Sequence, residues 1–181
     1  GRPAACLSIA GPGATNLLTG LSDAKLDRAP VIALMGQVPT SDIGLNIFQE
    51  INLKAVCAPI AVSSQTIYAG SNCGEVMRTA CRSAIIDGGV AQIILPDDVQ
   101  SLPAGDAQFT SADGSIFKDV SAPSASEIAN AASVLSKSRS PVVIVGAGCA
   151  KSIDLAVELA EYLDCPLMTT YKAKGYVPDS H

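Results

Sequence analysis

Gly11-Pro12-Gly13, followed by Thr15 and Asn16, sets small and pre-bent residues directly after the apolar run Leu7–Ala10. Such a turn lets main-chain atoms come close to a bound group, and the first amides of the helix that follows are free to meet it. A second set of polar groups is Phe48-Gln49-Glu50, reached through a loop that leaves a strand at Gly36-Gln37-Val38-Pro39. Both sets start from strand ends, so they are expected to border one cleft that holds a polar ligand. A third set is Val145-Gly146-Ala147-Gly148-Cys149, between a strand and a helix, the context in which a helix N-terminus meets a dinucleotide phosphate. A full fingerprint would carry glycine at position 151, which is Lys, and a strand-to-helix turn needs glycine on steric grounds alone, so both readings stay open. Thr169, Thr170 and Tyr171 end the next strand, where ligands of open parallel sheets bind; Tyr171–Gly175 also reads as a solvated loop.

The elements that must position these residues follow from hydrophobic period. In the first part of the chain a strand is expected over 4–10, a helix over 14–26 with Leu17, Leu18, Leu21 and Ala24 on one face, and a strand over 31–35. A short strand near Ile60–Val62, a helix carrying Val76, Met77, Ala80, Cys81, Ala84 and Ile85, and a strand over Ala91–Leu95 complete the set. Strands alternating with helical patterns imply an α/β fold, a parallel sheet with helices on both faces. Pro, Gly, Ser and Asp then dominate a linker, 102–124. A second, Rossmann-like α/β pattern follows: a helix over Ala125–Ser136 opened by a capping box at Ser124 and Glu127, a strand over Pro141–Val145, a helix over Ile153–Leu163 and a strand over Pro166–Thr170. In the first turn Gly13 is expected to hold a positive φ, so that valine there would disfavour the backbone and block close approach.

Composition excludes several classes of function. A chain of 181 residues with 48% apolar and 16% charged residues buries a core, in one large or two small domains. A net charge of −5 with scattered Lys and Arg offers no field for nucleic acid or an anionic membrane. No apolar run reaches the length of a spanning helix and no signal peptide opens the chain, so a cytoplasmic location is expected. The six cysteines contain no Cys-x-x-Cys pair and read as buried thiols. The single histidine, His181, is the last residue, which leaves no Ser-His-Asp set or histidine metal site within these residues. The first residue is not Met and the last strand-loop unit breaks off, so a piece of a longer polypeptide is expected.

GPGATNLLTGLSDAKLDRAPVIALMGQVP, FQE, GVAQIILPDDVQ, SPVVIVGAGC and MTTYKAKG, in this order, resemble the thiamine-diphosphate-dependent enzymes of the acetolactate synthase and pyruvate oxidase group. The resemblance implies that residues 1–101 are most of a pyrimidine-binding domain and 125–181 the first part of a central domain that carries FAD or an adenine nucleotide in many members. It implies that Gly11, Pro12, Gly13, Asn16 and Gln49 line the pocket for the cofactor's aminopyrimidine across a dimer interface, with Phe48 beside the substrate. Gly146, Ala147, Gly148, Thr170 and Tyr171 fall on the flavin-contacting positions. The implied parent acts on pyruvate or a related 2-oxo acid as an acetolactate synthase-like carboligase, in a homodimer or homotetramer; a pyruvate oxidase or dehydrogenase with FAD is the alternative within the group. The carboxylate that drives the aminopyrimidine tautomer is expected upstream of the turn, and the diphosphate and Mg²⁺ site in a domain downstream. On that reading these residues alone carry no catalytic group, turn over no substrate and bind the free cofactor weakly. Outside the group, a non-catalytic nucleotide-binding module using the Gly146 turn is the other reading.

Overall fold

A computed structural model of the protein describes residues 3–103 and 122–181. Contacts divide the chain into two units, 1–119 and 120–181. Most of the expected linker lies outside the described residues.

The first unit is a four-stranded, all-parallel sheet in the order β1-β2-β4-β3. Its strands are β1 (Ala4–Ser8), β2 (Val31–Gln37), β3 (Ala61–Thr66) and β4 (Val90–Pro96). Side chains alternate across β2 and β4, and this alternation builds two cores. On one face Ala33, Met35, Val90 and Ile94 pack with Ala14 of α1 (Pro12–Asn16), Leu21 of α2 (Leu18–Leu26), and Leu53 and Cys57 of α3 (Leu53–Cys57). On the other Ile32, Ala91 and Ile93 pack with Ala80 of α4 (Cys73–Ser83) and with Ala84, which opens the π-helical turn Ala84–Gly88. The expected α/β fold with helices on both faces is therefore present.

Differences from expectation have local causes. The helix expected over 14–26 begins earlier and is broken. Pro12 occupies the first helical position, where no N–H is needed. At Leu17 the N–H donates to Ala14 O at 3.2 Å, three residues back, before the four-residue spacing resumes from Leu21 to Leu17 O. The strand expected near Ile60–Val62 runs on to Thr66, because Ser63, Ser64 and Gln65 extend it past a register shift between Ala61 and Ser63. Two short helices lie where no helical period could show. α3 is started by Asn52, whose side chain accepts from Ala55 N–H at 3.1 Å, and α5 spans Asp97–Gln100.

In the second unit α6 (Ala125–Ser136) begins at the expected capping box: Glu127 N–H donates to Ser124 Oγ, and Ser124 N–H donates to Glu127 Oε2 at 2.7 Å. Ser124 N–H, together with Ser124 Oγ–H, which donates to Glu127 Oε2 at 2.8 Å, holds the Glu127 carboxyl below the ordinary range. The strands β5 (Val143–Val145) and β6 (Leu167–Thr169) pair in parallel, with α7 (Ile153–Tyr162) between them in sequence. Both strands are shorter than expected. All six cysteines are thiols, but of the six expected to be buried only Cys57 is, while Cys73 is exposed and the rest are half-buried; burial pushes the thiols of Cys6, Cys57 and Cys81 up.

Candidate functional site

Parallel strands all deliver their carboxyl ends to one edge of the sheet, and a cleft opens there. This cleft, of about 650 Å³, is lined by Ser8 at the end of β1 and Ile9 after it, Gly36 and Gln37 at the end of β2, Leu95 near the end of β4 and Asp97 just after it, and Phe48 and Gln49 from the β2–α3 connection. Ser8 Oγ is buried and has no hydrogen-bond partner among the described residues, so the cleft wall carries a polar atom with unused capacity.

The two sets of residues separated by more than thirty positions meet at this edge. Gly11 has φ +63°, and a Cβ placed on it would lie 2.7 Å from Gln49 O and 2.9 Å from Gln49 Cα. Glycine is thus required by the approach of the Gln49 backbone, and the positive φ assigned in sequence to Gly13 belongs to Gly11. A Cβ on Gly13 meets the Ile9 side chain instead. Gln49 itself has φ +67°, a conformation costly for a side-chain-bearing residue. It is held by a tight turn in which Glu50 N–H donates to Ile47 O at 3.1 Å, while Gly44 N–H donates to Glu50 Oε1. Phe48 is 86% exposed at the cleft margin. Pro12 and Asn16 are exposed on α1, and neither they nor Gly11 and Gly13 line the cleft; the structure sets Gly11 against Gln49, which lines the cleft with Phe48, and leaves Pro12, Gly13 and Asn16 away from it.

A carboxylate ties one lip of the cleft. Asp98 accepts from Thr40 N–H at 2.9 Å and from Thr40 Oγ1–H at 2.5 Å, and these donors, the hydroxyl first, hold its carboxyl below the usual range. Because the folded value is the lower one, the contact stabilises the folded form above the ordinary carboxylate value and is lost as pH falls through the depressed value. The pair is exposed, so its effect is local. In an NMR titration, Thr40→Val is expected to move the Asp98 midpoint upward; an unmoved midpoint would remove Thr40 as the cause.

Comparison with known proteins bears on what such an edge holds. Residues 1–56 match the model for the N-terminal TPP binding domain of thiamine pyrophosphate enzymes, and residues 128–181 match that for their central domain. The chain belongs to the thiamine pyrophosphate enzyme family. It is 35% identical over 185 residues to the acetolactate synthase isozyme 1 large subunit of Escherichia coli, and 32% over 185 residues to the acetolactate synthase large subunit of Corynebacterium glutamicum. It is 33% identical over 183 residues to the pyruvate oxidase of Lactiplantibacillus plantarum. All of this chain is covered in each case, against 32%, 29% and 30% of the relative. The chain therefore spans under a third of the length of these relatives.

Within this thiamine pyrophosphate enzyme chain, the second unit brings Gly146 and Thr170 side by side. Thr170 N–H donates to Val145 O at 2.9 Å, and a Cβ on Gly146 would sit 3.8 Å from Thr170 Oγ1. Gly146-Ala147-Gly148 does not run directly into α7: a 3₁₀ turn, Ala147–Cys149, and further turn residues precede Ile153. The glycine turn thus does not run straight into that helix N-terminus, and Tyr171, after β6, is exposed. Among the described residues no cluster of His, Cys, Asp or Glu is placed to hold a metal, and no helix is long and apolar enough to cross a membrane. Residues that the sequence reading missed are Ser8, whose alternating apolar surroundings hid it, and Gln37, which reads as loop until its amide is seen to be buried.

Proposed function

We propose that the chain supplies the aminopyrimidine side of a thiamine diphosphate site in an enzyme that decarboxylates pyruvate or a related 2-oxo acid and joins the product to a second oxo acid, as an acetolactate synthase does. The observation that carries this reading is the contact between the Gly11 turn and the Gln49 backbone beside a cleft of about 650 Å³, a size that suits a heterocyclic cofactor. When bound, the cofactor supplies the carbon nucleophile and the electron sink of the reaction. The residues of this chain bind and orient. Gln49 offers an amide that donates and accepts without charge, Ser8 Oγ adds a buried hydroxyl with no partner among the described residues, and Phe48 excludes water at the rim where substrate enters. Pro12 and Asn16, exposed on α1, face a second subunit in this reading, within a homodimer or homotetramer of the whole cytoplasmic protein.

Gly146, Ala147, Gly148, Thr170 and Tyr171 are assigned to a flavin; Gly148 has no atom near its missing Cβ, which leaves room for a ligand. Mg²⁺ and the diphosphate are assigned to residues outside this chain. The carboligase is preferred to the oxidase because two of the three relatives named above are acetolactate synthases.

In the whole protein, Gln49→Ala and Asn16→Ala are each expected to lower cofactor-dependent turnover roughly tenfold, the loss of about one hydrogen bond, with the thermal midpoint unchanged. Wild-type rates in both would reject their assignment. Anaerobic assay with pyruvate decides the reaction: acetolactate supports the carboligase, and flavin bleaching with acetate or acetyl phosphate supports the oxidase.

A further inference from the structure

Among the described residues two polar residues are buried as a whole, and both are glutamines: Gln37, 8% exposed at the end of β2, and Gln92, 0% exposed within β4. By strand alternation both point to the face that α3 covers. Each donates its amide to a backbone carbonyl of the same short connection. Gln37 Nε2 donates to Ile51 O at 2.8 Å, and Gln92 Nε2 donates to Leu53 O at 3.1 Å. The orientation of each amide is settled by its partners. Val38 N–H can only donate, and it meets Gln37 Oε1 at 3.0 Å; Leu53 O can only accept, so the nitrogen of Gln92 must face it while Ser64 Oγ–H donates to Gln92 Oε1 at 2.6 Å.

A buried amide costs desolvation that an apolar residue of like size would not, so its use here asks for a reason. Directional bonds at carbonyls 51 and 53 fix the backbone on both sides of Asn52, three residues after Gln49. That backbone must hold Gln49 at φ +67° against Gly11, a strained conformation that a slack connection would relax. Gln37 also lines a second cavity of about 330 Å³, with Glu50 and Asn52, so the connection stands as a wall between two spaces, with Ile51 and Leu53 packed on the core and its carbonyls held by the two amides. We propose that Gln37 and Gln92 are positioning residues: they tether the Ile51–Leu53 backbone to β2 and β4, and through it hold Gln49 and Phe48 in place over the cleft. The consequence for cofactor affinity rests on the reading of Gln49 given above.

The test uses the whole protein with Gln37→Met, Gln92→Met, Gln49→Ala and the double variant Gln37→Met/Gln49→Ala. Amide hydrogen exchange across 47–53 and thiamine diphosphate affinity by calorimetry are the readouts. Exchange in that stretch is expected to rise about tenfold in both methionine variants, with the rest of the sheet unchanged. Affinity is expected to fall about tenfold in each. Because the tether acts through Gln49, adding Gln37→Met to Gln49→Ala should cost no further affinity. Unchanged exchange at 47–53 overturns the tether, and losses that add in the double variant overturn its action through Gln49. Wild-type affinity in Gln49→Ala would instead reject the reading of Gln49, while exchange still judges the tether. Should Gln92→Met not fold, Ser64→Ala frees Gln92 Oε1 and is expected to raise exchange at Leu53; no rise counts against the proposal.

Discussion

Gly11→Val is expected to abolish measurable thiamine diphosphate binding by the whole protein while the β-sheet core stays folded. The argument has two independent parts. At φ +63° and ψ −119°, Gly11 occupies a region that a β-branched residue reaches only at a cost of about 1–3 kcal/mol. Its new Cβ would also stand 2.7 Å from Gln49 O, 2.9 Å from Gln49 Cα and 2.9 Å from Gln49 Cβ, all closer than real contacts allow. None of these atoms is the free end of a flexible side chain, so relief requires moving the Gln49 backbone and with it Phe48. Gly13→Ala is the control: its Cβ meets Ile9 Cγ2, one branch of an exposed side chain that can turn away. Calorimetric titration of both variants checks the prediction. Affinity in Gly11→Val within twofold of wild type would show that the Gly11–Gln49 approach does not shape the site.

Strands are legible because β2 and β4 are buried on both faces and read as apolar runs, Val31–Met35 unbroken and Val90–Leu95 interrupted at Gln92. The capping box at Ser124 and Glu127 was legible for a different reason: its two hydrogen bonds are local and need no tertiary partner. What the sequence could not display is anything set by long-range contact. The requirement for glycine at position 11 comes from Gln49, 38 positions on, so the steric role fell on the wrong glycine of the turn. Gln37 and Gln92 read as ordinary polar residues because the carbonyls they bind belong to a connection with no period of its own. The strand β3 was cut short for the same reason, since Ser64 is tolerated there through its bond to Gln92. At the site, Gln49 and Phe48 were found by their position at a strand end, whereas Asn16 lies on α1 outside the cleft that those two line.

Leu53→Ala is expected to destabilise the first unit by about 2–5 kcal/mol, a loss set by the apolar volume removed and by how little the site can close. Leu53 is 1% exposed and packs in one core with Leu21, Met35, Cys57, Val90 and Ile94, between strands on one side and helices on the other. Its own carbonyl is bound by Gln92, so α3 cannot slide to compensate without breaking that bond. Phe48→Ala, five positions earlier, provides the contrast. The ring is so exposed that its removal should change stability by no more than about 0.5 kcal/mol, yet it borders the cleft and its loss should raise KM for the oxo acid. Urea unfolding followed by far-ultraviolet circular dichroism separates the two, and a loss under about 1 kcal/mol in Leu53→Ala would mean that the α3 side of the sheet repacks freely. A chain that puts a core side chain and cleft-lining ones on a single short connection makes the connection rigid at one end and available at the other. That is why the rim can carry a strained Gln49 without the strain spreading into the sheet.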